Sequence, residues 1–282
     1  MADPAASLCV RGAMLSECGP VRAANEDRVA YSERHAGNGC GDGFLGAIAV
    51  VCDGMGGHAA GERASEIATE IIVQGYWNSG EPPAARLRAC LREANAAILA
   101  EAAADRSLAG MGTTCTALAF QDGRAWLAHI GDSRAYLIRD GGIAQISDDQ
   151  TLVEQMVREG LISREEAETH PQRHIILQAL GTREQIRPTI DETGIEIRPG
   201  DIFVLCSDGL TGAVGADIIS TECRAHPPFT ACQRLIRTAA ELDGSDNISV
   251  GVFHVAAEPS AATDVETRRL PAFRGPAPAA GD

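Results

Sequence analysis

The sequence predicts an α+β fold in which antiparallel sheets are layered with helices, and three observations carry that prediction. Short β-rich runs, "TTCTALAF", "RAWLAHI" and "RAYLIR", succeed one another through the turns Gln121-Asp122-Gly123 and Gly131-Asp132-Ser133, as an antiparallel meander does. Two long amphipathic stretches precede them in tandem. The alternation of single strands and single helices that a doubly wound parallel sheet requires is missing. With 282 residues, 45% of them apolar, the chain can bury a sizeable core.

In chain order, the apolar run "AIAVVCD" reads as a strand ending in a carboxylate. Ala64, Ile67, Ala68, Ile71 and Ile72 then recur at helical spacing, followed by Leu87, Cys90, Leu91, Ala94 and Ile98. These predict helices over about 61–77 and 83–104. After the meander, about 147–187 turns helical and polar, with Ser163 and Glu166 spaced as a capping box, which predicts a helical flap. Strand character returns at "DIFVLCS", a helix is expected near "FTACQRLIRTAAELDG", and "NISVGVFHV" reads as the last strand. Residues 257–282, rich in Pro, Ala and Gly, read as a disordered tail, so the domain is expected to span 8–256.

A formal net charge of −15 argues against nucleic-acid binding, which draws on basic side chains to neutralise phosphates. A chain this acidic needs arginines or metal ions wherever it binds an anionic substrate. The nine cysteines are scattered and form no C-x-x-C pair, which disfavours a zinc ribbon. Cys52, Cys115 and Cys206 lie inside apolar runs and read as buried, reduced thiols. No run reaches ~18 apolar residues and the start lacks a signal-peptide pattern, so a cytoplasmic protein without a membrane segment is expected.

"AIAVVCDGMGGHAAGERASEI" imitates a dinucleotide fingerprint, since Gly54, Gly56 and Ala59 satisfy G-x-G-x-x-A after a strand. That reading requires a second parallel strand ending in an acidic residue about 20 positions on, and here those positions fall in the first helix and its end. A serine-hydrolase reading of Ser133 also fails, because "HIGDSRAY" lacks the second glycine of a nucleophile elbow and the turn joins two strands.

Five motifs place an acidic residue beside Gly or a small polar residue near an apolar run: Asn25-Glu26-Asp27, Asp53-Gly54, Gly131-Asp132-Ser133, Ser207-Asp208-Gly209 and Ser245-Asp246-Asn247. Singly, each is ordinary turn chemistry. Together they suggest carboxylates projected from one edge of a sheet, which repel one another unless cations neutralise them. Hard ions with oxygen ligands fit such a set, so Mn²⁺ or Mg²⁺ is expected before zinc. Two ions ~3.5–4 Å apart suit displacement at phosphorus by an activated water.

With "VRAANED", "VVCDGMGGHAAGERAS", "GMGTTCTAL", "AHIGDSRAYL", "HPQRHIILQALG", "GDIFVLCSDGL" and "GSDNISV" in this order, the chain resembles the bacterial metal-dependent serine/threonine protein phosphatases of the PPM family, type 2C, over about residues 11–255. The resemblance implies a four-layer α/β/β/α sandwich of two antiparallel sheets flanked by helices. It implies hydrolysis of phosphoserine and phosphothreonine by a water activated between two metal ions, with no phosphoenzyme. By position, Asp53 would bridge the metals, the Gly54 carbonyl would ligate one, and Asp208 and Asp246 would complete the other. Glu26 and Asp27 would orient bound water, Arg22 would grip the phosphate, and His58 would be the general acid. Asp132 would help hold a possible third metal.

Arg173 and His174 fall in the flap-side segment that in the family borders the active site. Asp149-Gln150-Thr151 departs from the common bacterial Asp-His-Ser pattern there. Phosphorylated proteins, with a cognate Ser/Thr kinase and its substrates, are the partners implied, and a monomer is expected. The competing class, an inactive relative serving as a binding module, generally lacks a metal aspartate, and all the motif aspartates are present.

Overall fold

The computed structural model describes residues 8–36, 44–57 and 59–257. His58, Cys40 and residues 258–282 of the expected tail lie outside the described residues, whereas Ala257, expected to open that tail, ends the last strand. Strands β1 (Leu8–Glu17), β2 (Arg28–His35), β3 (Phe44–Cys52) and β4 (Gly54–Met55) lead into helices α1 (Ala59–Asn78) and α2 (Pro83–Ala104). Next come β5 (Gly112–Thr113), β6 (Cys115–Gln121), β7 (Arg124–Ile130), β8 (Arg134–Arg139) and β9 (Gly142–Gln145). The short helices α3 (Leu152–Arg158) and α4 (Arg164–Glu168) precede β10 (Thr189–Ile190), β11 (Ile195–Glu196) and β12 (Ile202–Cys206). Helices α5 (Asp208–Thr211), α6 (Ala216–Ala225) and α7 (Pro228–Leu242), then β13 (Ile248–Ala257), complete the fold.

Two antiparallel sheets result, one ordered β1-β13-β12-β8-β9 and the other β10-β7-β6-β3-β2, with β11 also paired to β7. Side chains alternate along each strand, which distributes the residues among three cores. On β3, Ala47, Ala49 and Val51 face the opposite sheet, while Ile48, Val50 and Cys52 face α1 and α2. On β12, Phe203 and Leu205 point between the sheets, while Ile202, Val204 and Cys206 meet the helices of the far side. Both faces of each sheet are therefore covered, which explains why "AIAVVC" is continuously apolar. The four-layer sandwich is present.

Phe120, Phe203 and Phe253 form the centre of the middle layer, all fully buried. Phe120 meets Phe203 edge-on at 5.2 Å between centroids and Phe253 at 5.8 Å. Burying each such ring contributes about 1.5–3 kcal/mol relative to leaving it exposed.

Pro83 and Pro228 occupy the first turns of α2 and α7, where the missing N–H has no helical partner in any case. The capping box of Ser163 and Glu166 is formed, with both reciprocal bonds present.

Two expectations are corrected. The turn at Gly131-Asp132-Ser133 is not a hairpin: β7 pairs with β6, whereas β8 pairs with β12 and β9 in the other sheet. Gly131, at φ +112°, packs against Thr114 and lets the chain cross the sandwich, so Asp132 sits at the junction of both sheets. The flap is only partly helical: after α4 the chain runs irregularly, closed on itself by a bridge from Thr151 to Ile176 and joined to the domain by one from Thr113 to Leu180.

Candidate metal centre

Each acidic motif stands at a strand terminus at one end of the sandwich. Asp53 directly follows β3, Asp27 precedes β2, Asp132 links β7 to β8, Asp208 opens α5 just past β12, and Asp246 precedes β13. The strands end there because Gly and Asn-Asp turns interrupt the apolar runs that build the sheets.

The loop after Asp53 is fixed by its backbone. Asp53 N donates to Thr114 Oγ1 at 3.0 Å, and its carbonyl accepts from Thr113 Oγ1 and Thr114 N, both at 2.9 Å. β4 pairs with β5 beyond it. Gly54 is wedged between two main chains: a Cβ there would collide with the carbonyl oxygens of Gly61 and Glu26. Only glycine permits that approach.

The carboxyls act on one another. Burial, then the nearby charge of Asp27, Asp208, Asp132 and Asp246, holds the Asp53 carboxyl well above the usual range. Asp27 is 1% exposed and is pushed up to about 7, chiefly by burial, with Ser249 and Ser207 opposing and Asp208 and Asp246 adding to the rise. Asp132, 7% exposed, is pushed up to about 8 by burial and by Asp208 and Asp149. Asp208 is raised by burial and by Asp246, while a hydrogen bond with Asp53 and the charges of His174 and Arg22 oppose the rise. Burial and mutual repulsion thus favour protonation of four of the five aspartates.

Asp246 is occupied by protein donors. Arg22 Nη2 donates to its Oδ2 and the Asn247 amide N–H to its Oδ1, both at 2.8 Å, and Arg22 Nε reaches the Ser245 carbonyl at 3.2 Å. With Asp246 so engaged and Asp208 bonded to Asp53, no group of three His, Cys, Asp or Glu side chains among the described residues stands ready to hold an ion. The donor set nevertheless fits one. Asp27 Oδ1 and Asp132 Oδ1 are buried with no hydrogen-bond partner, and an orphaned carboxylate oxygen beside other carboxyls calls for a cation.

The remaining residues divide. The Glu26 backbone is held by Asn247 and Ser65, so its position is fixed. Arg173 and His174 are both exposed, and of the two it is His174 whose charge reaches Asp208. Asp149, which keeps the expected pattern where Gln150 and Thr151 depart from it, pairs with Arg134 through both oxygens, at 2.7 to 3.1 Å.

The motif reading gave no role to Ser207, Thr114, His129 or Asn247. Ser207 Oγ donates to Asp27 Oδ2 at 2.8 Å. Thr114 Oγ1 meets Ser133 Oγ at 2.8 Å, and the buried His129 bridges Thr116 Oγ1 and the Asp148 carbonyl, at 2.9 and 3.0 Å. The only sequence signal for Ser207 and Asn247 is their adjacency to an aspartate.

An antiparallel sandwich with carboxylates gathered at one end offers a set of oxygen ligands for hard cations, and comparison identifies the family. The family model "Protein phosphatase 2C" matches residues 25–243. The serine/threonine protein phosphatase PstP of Mycobacterium tuberculosis is 41% identical over 252 residues, covering 88% of this chain and 46% of PstP, so the chain spans about half the length of that relative. The protein phosphatase PhpP of Streptococcus pneumoniae is 33% identical, covering 85% of this chain and 95% of PhpP. Among solved structures, the catalytic domain of PstP in complex with two manganese ions superposes with a TM-score of 0.76 at 38% identity, covering 89% of this chain and all of that one. The chain belongs to the protein phosphatase 2C family.

Proposed function

We propose that this chain is a metal-dependent protein serine/threonine phosphatase that hydrolyses phosphoserine and phosphothreonine with two Mn²⁺ or Mg²⁺ ions and without a phosphoenzyme. The observation that carries the reading is the set of mutually raised carboxyls at the strand ends, two of them with an orphaned oxygen. In this reading Asp53, the Gly54 carbonyl, Asp208 and Asp246 hold the ions, and Asp132 serves a third. The chemistry the ions supply when bound is activation of a water for attack on phosphorus and neutralisation of phosphoryl charge.

The chain's own groups do the rest. Glu26 and Asp27, backed by Asn247 and Ser207, orient water. Arg22, exposed and held beside Asp246, presents a planar fork of donors to the phosphate. His58 passes a proton to the departing alkoxide, a role for which imidazole is the commonest side chain. The reaction needs no thiol nucleophile, and Cys90, Cys115, Cys206, Cys223 and Cys232 are buried with their thiols raised.

The eight described cysteines are all free, which supports a reducing, cytoplasmic setting. Among the described residues no helix is long and apolar enough to cross a membrane. We assign the chain phosphoproteins as substrates, the targets of a cognate Ser/Thr kinase, and a monomeric state.

Hydrolysis of p-nitrophenyl phosphate with and without Mn²⁺ tests the reading. Metal-dependent turnover is expected, falling by orders of magnitude in Asp208→Ala and Asp246→Ala while both stay folded. Absence of turnover in well-folded protein overturns it. His58→Ala is expected to slow phosphopeptide hydrolysis more than that of p-nitrophenyl phosphate, whose leaving group needs no proton. Equal losses remove His58 from the acid role.

A further inference from the structure

Arg22, Glu26 and Asp27 all lie on the segment joining β1 to β2, which has neither strand nor helix of its own. Such a segment places a side chain accurately only if other elements hold its backbone, and here one side chain does most of that. Asn247 Nδ2 donates to the Cys18 carbonyl at 2.9 Å and to the Ala24 carbonyl at 3.0 Å. Its Oδ1 accepts from Glu26 N at 2.8 Å. These three bonds grip the chain on both sides of Arg22, from a residue more than 220 positions away in sequence.

Asn247 is itself immobilised. It is 5% exposed, its main-chain N–H is tied to Asp246 Oδ1, and α5 packs so closely that a Cβ on Gly209 would strike the Asn247 carbonyl. The chemistry demands an amide. Two N–H donors and one acceptor are needed on one short, neutral side chain. Aspartate would turn lone pairs toward two carbonyls, and alanine would strand three backbone groups.

The geometry points to Asn247 as the positioning residue of the phosphate grip: it clamps the β1–β2 segment so that Arg22 is presented at a fixed place beside Asp246, tying the substrate-binding arginine to the metal-ligand strand. The assignment rests on Arg22 being the phosphate-binding residue of the function proposed above. A residue that merely stabilised the fold would not act through Arg22, and a double-mutant cycle separates the two.

The experiment uses the full chain as wild type, Asn247→Ala, Arg22→Ala and the double variant. It measures KM and kcat on a phosphopeptide, inhibition by inorganic phosphate, and Mn²⁺ binding by calorimetry. Asn247→Ala is expected to raise KM and the phosphate inhibition constant about 10-fold or more, the scale of losing charge-assisted bonds to phosphate. In the Arg22→Ala background the same change is expected to cost less than about twofold, with Mn²⁺ affinity kept within about threefold throughout. Losses that multiply, or lost Mn²⁺ affinity with unchanged phosphate inhibition, overturn the proposal. Should Asn247→Ala not fold, Asn247→Ser, which keeps one short donor, carries the same cycle. A wild type with no metal-dependent turnover defeats the phosphatase reading, whereas an active wild type with additive losses defeats only the role of Asn247.

Discussion

Ser207 Oγ donates a hydrogen bond of 2.8 Å to Asp27 Oδ2, while the other oxygen of the same carboxyl is buried without a partner. The same hydroxyl accepts from Ser249 N at 3.0 Å. Ser207→Ala therefore leaves an acceptor and a buried donor unpaired, at a cost of about 1–3 kcal/mol for each group. Urea unfolding of the metal-free protein is expected to show a loss on that scale. Mn²⁺ binding is expected to shift to higher pH, because a bond that lowers the Asp27 carboxyl has gone.

Raised carboxyls also set how stability depends on pH. The folded, metal-free protein holds protons on Asp27 up to about 7 and on Asp132 up to about 8 that the unfolded chain releases near 3.8. Their contribution is full below that lower value and is lost as pH rises through 7 and 8. His129 works oppositely: burial lowers it, so its contribution is lost as pH falls below its ordinary value of 6.5. A cation binds the ionised carboxylates. The rise in Tm caused by Mn²⁺ is therefore expected to grow from pH 6 to pH 8, and a shift that is flat with pH would count against a cation bound beside these carboxyls.

Asp208→Asn removes one of the repelling carboxyls and keeps a side chain able to bond Asp53. Without metal this variant is expected to melt no lower than wild type, and above it if repulsion dominates. Its Mn²⁺-induced Tm shift and its turnover are both expected to vanish. Thermal scans with and without Mn²⁺ check both halves together.

Gly54→Ala drives a methyl group into the Gly61 and Glu26 carbonyls, both of them main chain, so the backbone itself must shift. Overpacking of this kind costs about 1–3 kcal/mol. Because the displaced atoms border Asp53 and Glu26, turnover is expected to fall about 100-fold or more, the penalty for reacting groups misplaced by an ångström. Gly80→Ala, which meets open space at ordinary φ, is the control and is expected to leave activity and Tm unchanged.

The elements legible in the sequence were those whose pattern repeats: α1, α2 and α7 from helical character, and β3, β6, β7, β8, β12 and β13 from apolar or β-rich runs. β10 and β11 are two residues long and carry no pattern. The Gly131-Asp132-Ser133 corner misled because glycine-rich turns look alike whether a chain doubles back beside itself or crosses to another sheet. At the site, the aspartates were legible since each interrupts or borders an apolar run. Asn247 and Ser207 were not, because Ser and Asn beside Asp are ordinary turn residues, and their partners lie 221 and 180 residues away.

The carboxylates do not belong to one sheet. Asp27 and Asp53 border β2 and β3, Asp208 and Asp246 border β12 and β13 of the facing sheet, and the layer of Phe120, Phe203 and Phe253 lies between. Ions held by both groups would rivet the open end of the sandwich, much as a disulfide closes a long loop in a small secreted protein. Chelation would then do more than stop turnover: it would leave that end held by the bonds of Asn247 to Glu26 and of Ser207 to Asp27, and easier for proteases to open. In the proposed reading, loss of the ions would shorten the lifetime of each copy as well as stop its turnover.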